Sequence, residues 1–159
     1  MTTLTGGCQC GAVRFRCEEL GRASICHCRM CQKAFGGHYG PLVTAIGLVW
    51  TRGEPKRFRS SNKIRRGFCP DCGTPLTYEP DGFPHVEVSL GAFDRPAEIP
   101  PAIQVGVESR MPWFDRLASL PGRAPEQQAK VEAFFAEIVS YQHPDHDTPE
   151  WPAEQREAE

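Results

Sequence analysis

The sequence predicts a mainly β domain that ends in a single amphipathic helix. Three observations carry that expectation. Short runs alternate apolar and polar residues, the pattern of strands buried on one face. Fifteen glycines and fifteen prolines punctuate those runs, and turn signals at about eight- to twelve-residue intervals suit an all-β or β-rich fold. After residue 125 the apolar period lengthens from two to about 3.6, the helical value.

Residues 12–17, AVRFRC, alternate apolar and charged side chains and read as a half-buried strand. Residues 42–50 are apolar but interrupted by Gly47, and read as one or two strands. Residues 57–59 and 75–78 are short strand candidates, and Pro80-Asp81-Gly82 signals a turn. Residues 85–90 alternate most cleanly, and residues 102–107 less so. Val131, Phe134, Phe135, Ile138 and Val139 then follow helical spacing, with Pro125 suited to a first turn and Pro144 to a stop. They predict a helix from about 126 to 142, within a unit spanning 125–143 that packs its apolar face on the sheet. A dimer contact is the competing use of that face. The acidic, Pro-rich residues 144–159 read as a flexible tail.

A length of 159 residues suits one domain with a real core. Apolar residues at 40% and charged residues at 24% exclude fibrous and fully disordered classes. A formal net charge of −2 gives no basic field for nucleic acid or anionic membranes. The longest apolar stretch, residues 41–50, is about half of what a membrane span needs. Residues 1–7 lack the basic and apolar segments of a secretory signal, so the expected location is cytoplasmic.

Eight cysteines are the unusual feature. Nothing directs the chain to an oxidising compartment, and Cys8/Cys10 or Cys26/Cys28 are too close in sequence for comfortable bridges. Metal ligation by thiolates is therefore the expected use. Cys69-Pro70-Asp71-Cys72-Gly73 has the spacing of a zinc knuckle, in which a tight turn aims two sulfurs at one ion. Its glycine permits the positive φ that such a turn needs. Cys8 and Cys10, followed by Gly11, are the natural donors to complete a structural four-cysteine site. Cys26, Cys28 and Cys31 can wrap one face of a second ion and leave a position open, as catalytic zinc sites do. His27 or Cys17 are possible closing ligands, though His27 sits between ligands and would point away, and Cys17 reads as a small buried hydrophobe.

Three segments, taken in order, resemble one family. They are Gly6-Gly7-Cys8-Gln9-Cys10-Gly11-Ala12-Val13-Arg14-Phe15, then Cys26-His27-Cys28-Arg29-Met30-Cys31-Gln32-Lys33, then Arg66-Gly67-Phe68-Cys69-Pro70-Asp71-Cys72-Gly73-Thr74-Pro75-Leu76. The family is the glutathione-dependent formaldehyde-activating enzymes, which share a domain with centromere protein V. The resemblance runs from about residue 4 to 122 and includes Met111-Pro112-Trp113-Phe114. It implies an Mss4-like β-rich zinc-binding domain over 1–124 with two zinc ions per chain. It assigns Cys8, Cys10, Cys69 and Cys72 to a structural zinc, and Cys26, Cys28 and Cys31 to a catalytic one.

Three thiolates make zinc a modest Lewis acid toward water, but a coordinating thiol still deprotonates. Such a site suits carbon–sulfur bond formation between a small-molecule thiol such as glutathione and a small aldehyde, and the resemblance implies the same lyase reaction. The alternatives are a non-catalytic zinc-folded binding module and a related lyase with a different thiol. Zinc bound to thiolates makes an already acidic chain more so, and an anionic thiol needs local cations. Arg29, Lys33 and Arg66, with Lys63 and Arg65 beside them, are candidates to pair with its carboxylates. His27 is a candidate proton shuttle or, in its rival role, orders the ligand loop. His38 and His85 read as structural or surface residues, and Trp113 and Phe114 as core or pocket wall. No nucleic-acid or membrane partner is expected.

Overall fold

The computed structural model describes residues 4–151 and contains two sheets. Strands β1 (Leu4–Gly7), β2 (Arg14–Cys17) and β5 (Val49–Arg52) form the smaller, in the order β1-β2-β5. The larger contains β3 (Glu19–Cys26), β4 (Gly40–Ile46), β6 (Lys56–Arg59), β7 (Ile64–Phe68), β8 (Pro75–Pro80), β9 (Val86–Ser89) and β10 (Ile103–Val105). Its order is β10-β3-β4-β9-β8-β7-β6. Every pairing is antiparallel except β10 with β3. Helix α1 (Arg29–Phe35) follows β3, and α2 (Pro125–Ala136) comes late in the chain.

The mainly β prediction and its alternating strands hold. The apolar run at 42–50 divides into β4 and β5 because Gly47 turns the chain at φ +65°. Alternation in the large sheet separates two surfaces. Val43, Ala45 and Val88 enter the core, while Leu42, Thr44 and Glu87 face a cavity on the other side. Phe15 of β2 is fully buried and meets Trp50 and Phe93 edge-on, with centroids 5.9 and 5.1 Å away. Burial of a side chain of this size contributes about 1.5–3 kcal/mol.

Three strands and one helix were not legible from periodicity. β1 contributes one aliphatic residue and two glycines, and its place follows from pairing with β2, Leu4 opposite Cys17. β3 is the longest strand but lacks clean alternation, since a bulge between Leu20 and Ala23 breaks its register. β7 hides a buried cation, Arg66, at a position that reads as exposed. α1 is too short for a helical period to emerge.

The C-terminal expectations need correction. α2 ends at Ala136 rather than near 142, and none of its residues is buried. Phe134 and Phe135 are exposed, as are Ile138 and Val139 beyond the helix end. The core beneath the sheets is already filled from both sides by residues of β2, β4, β8 and β9, so the helical period marks no buried face. After the helix the chain returns to the body, where the His143 N–H donates to the Gln9 carbonyl at 2.7 Å. Residues 143–151 are therefore anchored rather than a flexible tail; 152–159 lie outside the described residues.

Gly6 marks how tightly the two layers meet. A Cβ there would meet the Ala92 carbonyl and stand 2.5 Å from Phe15 Cζ. Gly6→Ala is expected to lower stability by about 1–3 kcal/mol through overpacking. Urea denaturation with unchanged metal content measures this, and an unmoved midpoint would contradict the contact.

Candidate metal centre

Two turns from different sheets build the first cysteine cluster. After β1, the Cys8 N–H donates to the Val13 carbonyl at 2.9 Å and Gly11 takes φ +82°, which brings Cys8 and Cys10 round to one side. Between β7 and β8, the Cys69 N–H donates to the Thr74 carbonyl at 2.9 Å and Gly73 takes φ +76°. The four sulfurs of Cys8, Cys10, Cys69 and Cys72 all lie within 4.8 Å of one another. Cys8 and Cys10 Sγ are 3.5 Å apart, and Cys10 and Cys69 Sγ 3.7 Å. Metal–sulfur bonds of ~2.3 Å in a tetrahedron place sulfurs ~3.8 Å apart, so this spacing fits one ion.

The polar surroundings suit thiolates. The Val13 N–H donates to Cys8 Sγ at 3.2 Å. Thr74 Oγ1 is 3.0 Å from Cys72 Sγ, an arrangement in which the hydroxyl can donate to a thiolate. Burial opposes ionisation of Cys72, but this hydroxyl and nearby backbone N–H groups bring its thiol down to about 6. Cys69 goes the other way, because burial raises its thiol above the ordinary value. A cation among the four sulfurs replaces the protons that such crowded groups would otherwise retain.

The second cluster has three members. Cys26 ends β3, Cys28 caps the start of α1, and Cys31 lies in its first turn. The Cys31 N–H donates to Cys28 Sγ at 3.4 Å, so the start of the helix orders its own ligand pair. The three sulfurs lie within 4.8 Å of one another, and among the described residues no fourth histidine, cysteine or carboxylate joins them. Arg66 reaches in from β7 and donates from Nη2 to Cys31 Sγ at 3.3 Å. Burial raises the Cys26 thiol to about 12, whereas hydrogen bonds outweigh burial at Cys28 and lower it. All three cysteines line a cavity of about 800 Å³.

Arg66 is the predicted cation that meets this cluster. It is buried, stacks over Tyr78 with Cζ 5.1 Å from the ring centroid, and keeps Nη1 without a partner among the described residues. Arg29 and Lys33 lie outside the cavity lining. Arg29 donates to Gln32 Oε1 at 2.6 Å, and Gln32 in turn donates to the carbonyls of His27 and Ser109. Lys63 does line the cavity, while Arg65 is paired with Glu79.

His27 is fully buried and away from the cavity. Its Nε2 is 2.9 Å from Gln104 Oε1, and its ring meets Phe114 edge-on at 4.8 Å. The His27 N–H donates to the Val105 carbonyl at 2.8 Å, so this residue ties the ligand loop to β10. Such a position suits the loop-ordering role rather than the shuttle. Cys17 joins neither cluster and is buried in the core. His85 stands on the cavity rim, and His38 stacks with Tyr39 and Trp113. Arg22, Tyr78 and Glu87 also face the cavity. Sequence reading missed them because a polar residue that alternates with core residues looks like a solvent-facing one.

A family model for glutathione-dependent formaldehyde-activating enzymes matches residues 3–109, which includes both cysteine clusters. The chain belongs to that family. The crystal structure of a Rhodobacter sphaeroides protein is similar in fold, with a TM-score of 0.51 and 21% identity. That likeness covers 64% of this chain and 99% of the other. Both clusters can hold a metal ion, and both are placed by strands within the family match.

Beyond the match, residues 143–151 form a strap over the Cys8–Gly11 turn of the four-cysteine cluster. The Trp151 indole N–H donates to the Cys10 carbonyl at 2.7 Å. The His143 ring lies against Gly11, where any Cβ would collide with it. Arg14, almost fully buried, forks onto Asp94 at 2.8 and 2.7 Å and reaches Asp147 of the strap at 2.7 Å. Burial works against the Asp94 carboxylate, but Arg14 and Thr5 hold it below the usual carboxylate range. Arg52 donates to the carbonyls of Gly11 and Thr148, which joins β5 to the strap.

The two clusters should respond differently to loss of a ligand. Cys69→Ser is expected to reduce bound metal and also to cooperative unfolding at a much lower temperature, since that site joins two turns. Cys28→Ser should lose one metal equivalent while keeping the far-UV spectrum. Elemental analysis with circular dichroism checks both, and equal folding defects would contradict the division. Trp151→Ala leaves the Cys10 carbonyl without its partner, at a cost of about 1–2 kcal/mol. Its melting temperature should fall by ~2–8 °C, and a chromogenic chelator should strip one metal faster; an unchanged release rate would show that the strap does not guard the site.

Proposed function

We propose that this protein is a zinc-dependent carbon–sulfur lyase of the formaldehyde-activating type, joining a thiol such as glutathione to a small aldehyde. The observation that supports it most is the contrast between the clusters. Four cysteines make a complete tetrahedral set, while three cysteines open on a large cavity. Zinc is the metal favoured by tetrahedral thiolate donors. Bound to Cys26, Cys28 and Cys31, it supplies a Lewis acid with room for a further ligand, the environment in which a substrate thiol becomes a thiolate.

The chain's own residues would do the rest. Cys28 and Cys31 are held by the start of α1, so the open side of the cluster is fixed toward the cavity. Arg66 offers a buried cation beside Cys31 with an unused N–H at Nη1, suited to a developing negative charge nearby. Arg22 and Lys63 add positive charge to the cavity wall, and in this reading they replace Arg29 and Lys33 as the cations that meet an anionic thiol. Holding thiol and aldehyde together in this enclosure favours carbon–sulfur bond formation by proximity.

Exchange NMR on mixed formaldehyde and glutathione tests this directly. Protein verified to hold two metals should accelerate interconversion of the free pair and the S-hydroxymethyl adduct, and Cys28→Ser should abolish the acceleration. No acceleration by the loaded native protein would remove this substrate pair.

A further inference from the structure

A row of side chains crosses the cavity floor from strand to strand. Arg66 of β7 is opposite Tyr78 of β8, Tyr78 is opposite Glu87 of β9, and Glu87 is opposite Thr44 of β4. Neighbours in such a row stand on strands ~4.8 Å apart. All four residues line the cavity that holds Cys26, Cys28 and Cys31. The row begins at the guanidinium that touches Cys31 Sγ and runs inward to a carboxylate.

Glu87 is the unusual member. It is half-buried on the cavity wall, and it makes no hydrogen bond or ion pair to any described residue. The more deeply placed carboxylates nearby are tied down: Glu79 to Arg57 and Thr77, and Asp94 to Arg14 and Thr5. A carboxylate on a cavity wall that no described residue holds is available to a ligand in that cavity. Burial raises the Glu87 carboxyl above its ordinary value, and Arg22 only partly opposes this. A carboxyl so placed exchanges a proton more readily near neutrality than a solvated one.

We propose that Glu87 is the acid–base group of this cavity, taking the proton of the incoming thiol and returning it to the oxygen of the aldehyde. The inference rests on the thiol–aldehyde reading above. The thiol S–H bond breaks and its proton passes to the Glu87 carboxylate. The sulfur electron pair forms the C–S bond, and the carbonyl π pair moves to oxygen. The protonated Glu87 then delivers its proton to that alkoxide. Thiol and aldehyde become one hydroxymethyl thioether, no electrons are gained or lost, and Glu87 ends as it began. Run backward, the same transfers release the aldehyde.

Besides Cys26, Cys28 and Cys31, the titratable groups that share the cavity with Glu87 are Arg22 from β3, Lys63, Arg66, Tyr78, Asp81 and His85. Asp81 is held by Arg59 below the carboxylate range, so it does not compete as a base of raised affinity. Catalysis needs Glu87 ionised at the start, so turnover should rise as the pH is raised through an elevated carboxylate range.

Exchange NMR on formaldehyde and glutathione, run as a function of pH on metal-verified protein, tests the assignment. Native protein should show that rising limb. Glu87→Gln should keep both metals and the native circular dichroism spectrum, lose the limb, and turn over at least ~100-fold more slowly. Glu87→Asp should keep the limb at reduced rate, and the limb should persist in His85→Gln. A ¹³C-carboxyl titration of the native protein should place Glu87 above the ordinary carboxylate value of ~4.3 independently of activity. Glu87→Gln within two-fold of native, or an ordinary titration, would overturn the proposal while leaving the lyase reading intact. Native protein that fails to accelerate exchange would overturn the lyase reading and this role with it.

Discussion

Four sulfur atoms stand closer together than four negative charges tolerate, and the fold is organised around that fact. Cys10 and Cys69 Sγ are 3.7 Å apart although 59 residues separate them in sequence. At such distances Coulomb repulsion between thiolates is large in a partly buried setting, and a cation among them converts repulsion into attraction. The turn after β1 belongs to the small sheet and the turn after β7 to the large one. Whatever binds the sulfurs therefore closes the seam between the sheets, beside the core that Phe15 fills.

The second cluster faces the same electrostatic problem and answers it incompletely. Arg66 donates to Cys31, and the start of α1 supplies an N–H to Cys28. These contacts steady two of the sulfurs, but the cavity leaves one side of the set uncovered. A buried guanidinium whose Nη1 donors find no partner among the described residues is costly to maintain for structure alone. Its position between Cys31 and the cavity makes the cost intelligible, since charge that develops in the cavity would meet a donor already in place.

The ligand sets and most strands were legible in the sequence because each has a short-range signature. Cys-x-x-Cys-Gly encodes a turn by itself, and residues 42–46 and 86–89 alternate because one face is core and the other is cavity. What escaped was long-range. Arg66 is buried where Cys31, 35 residues earlier in the chain, and the Tyr78 ring meet it. Glu87 alternates with core residues just as a solvent-exposed residue would. The flanking cysteines indicate that His27 turns away from the cluster, but no local signal shows that it folds against Phe114. The helix prediction failed more instructively: its period is genuine, but periodicity reports which residues share a face and not whether anything covers it.

The division of labour along the chain follows from these placements. Every residue of the large cavity wall lies between Arg22 and Val105, inside the stretch that the family shares. The strap lies wholly outside that stretch, yet its partners Gln9, Cys10, Arg14 and Arg52 lie within it. It touches the closed cluster and leaves the open one alone. A segment so placed bears on how firmly the sheets are joined and how readily metal leaves the four-cysteine site, not on which molecules reach the three-cysteine one. The cavity and both cysteine clusters are thus carried by the shared domain, and the strap at residues 143–151 acts on durability.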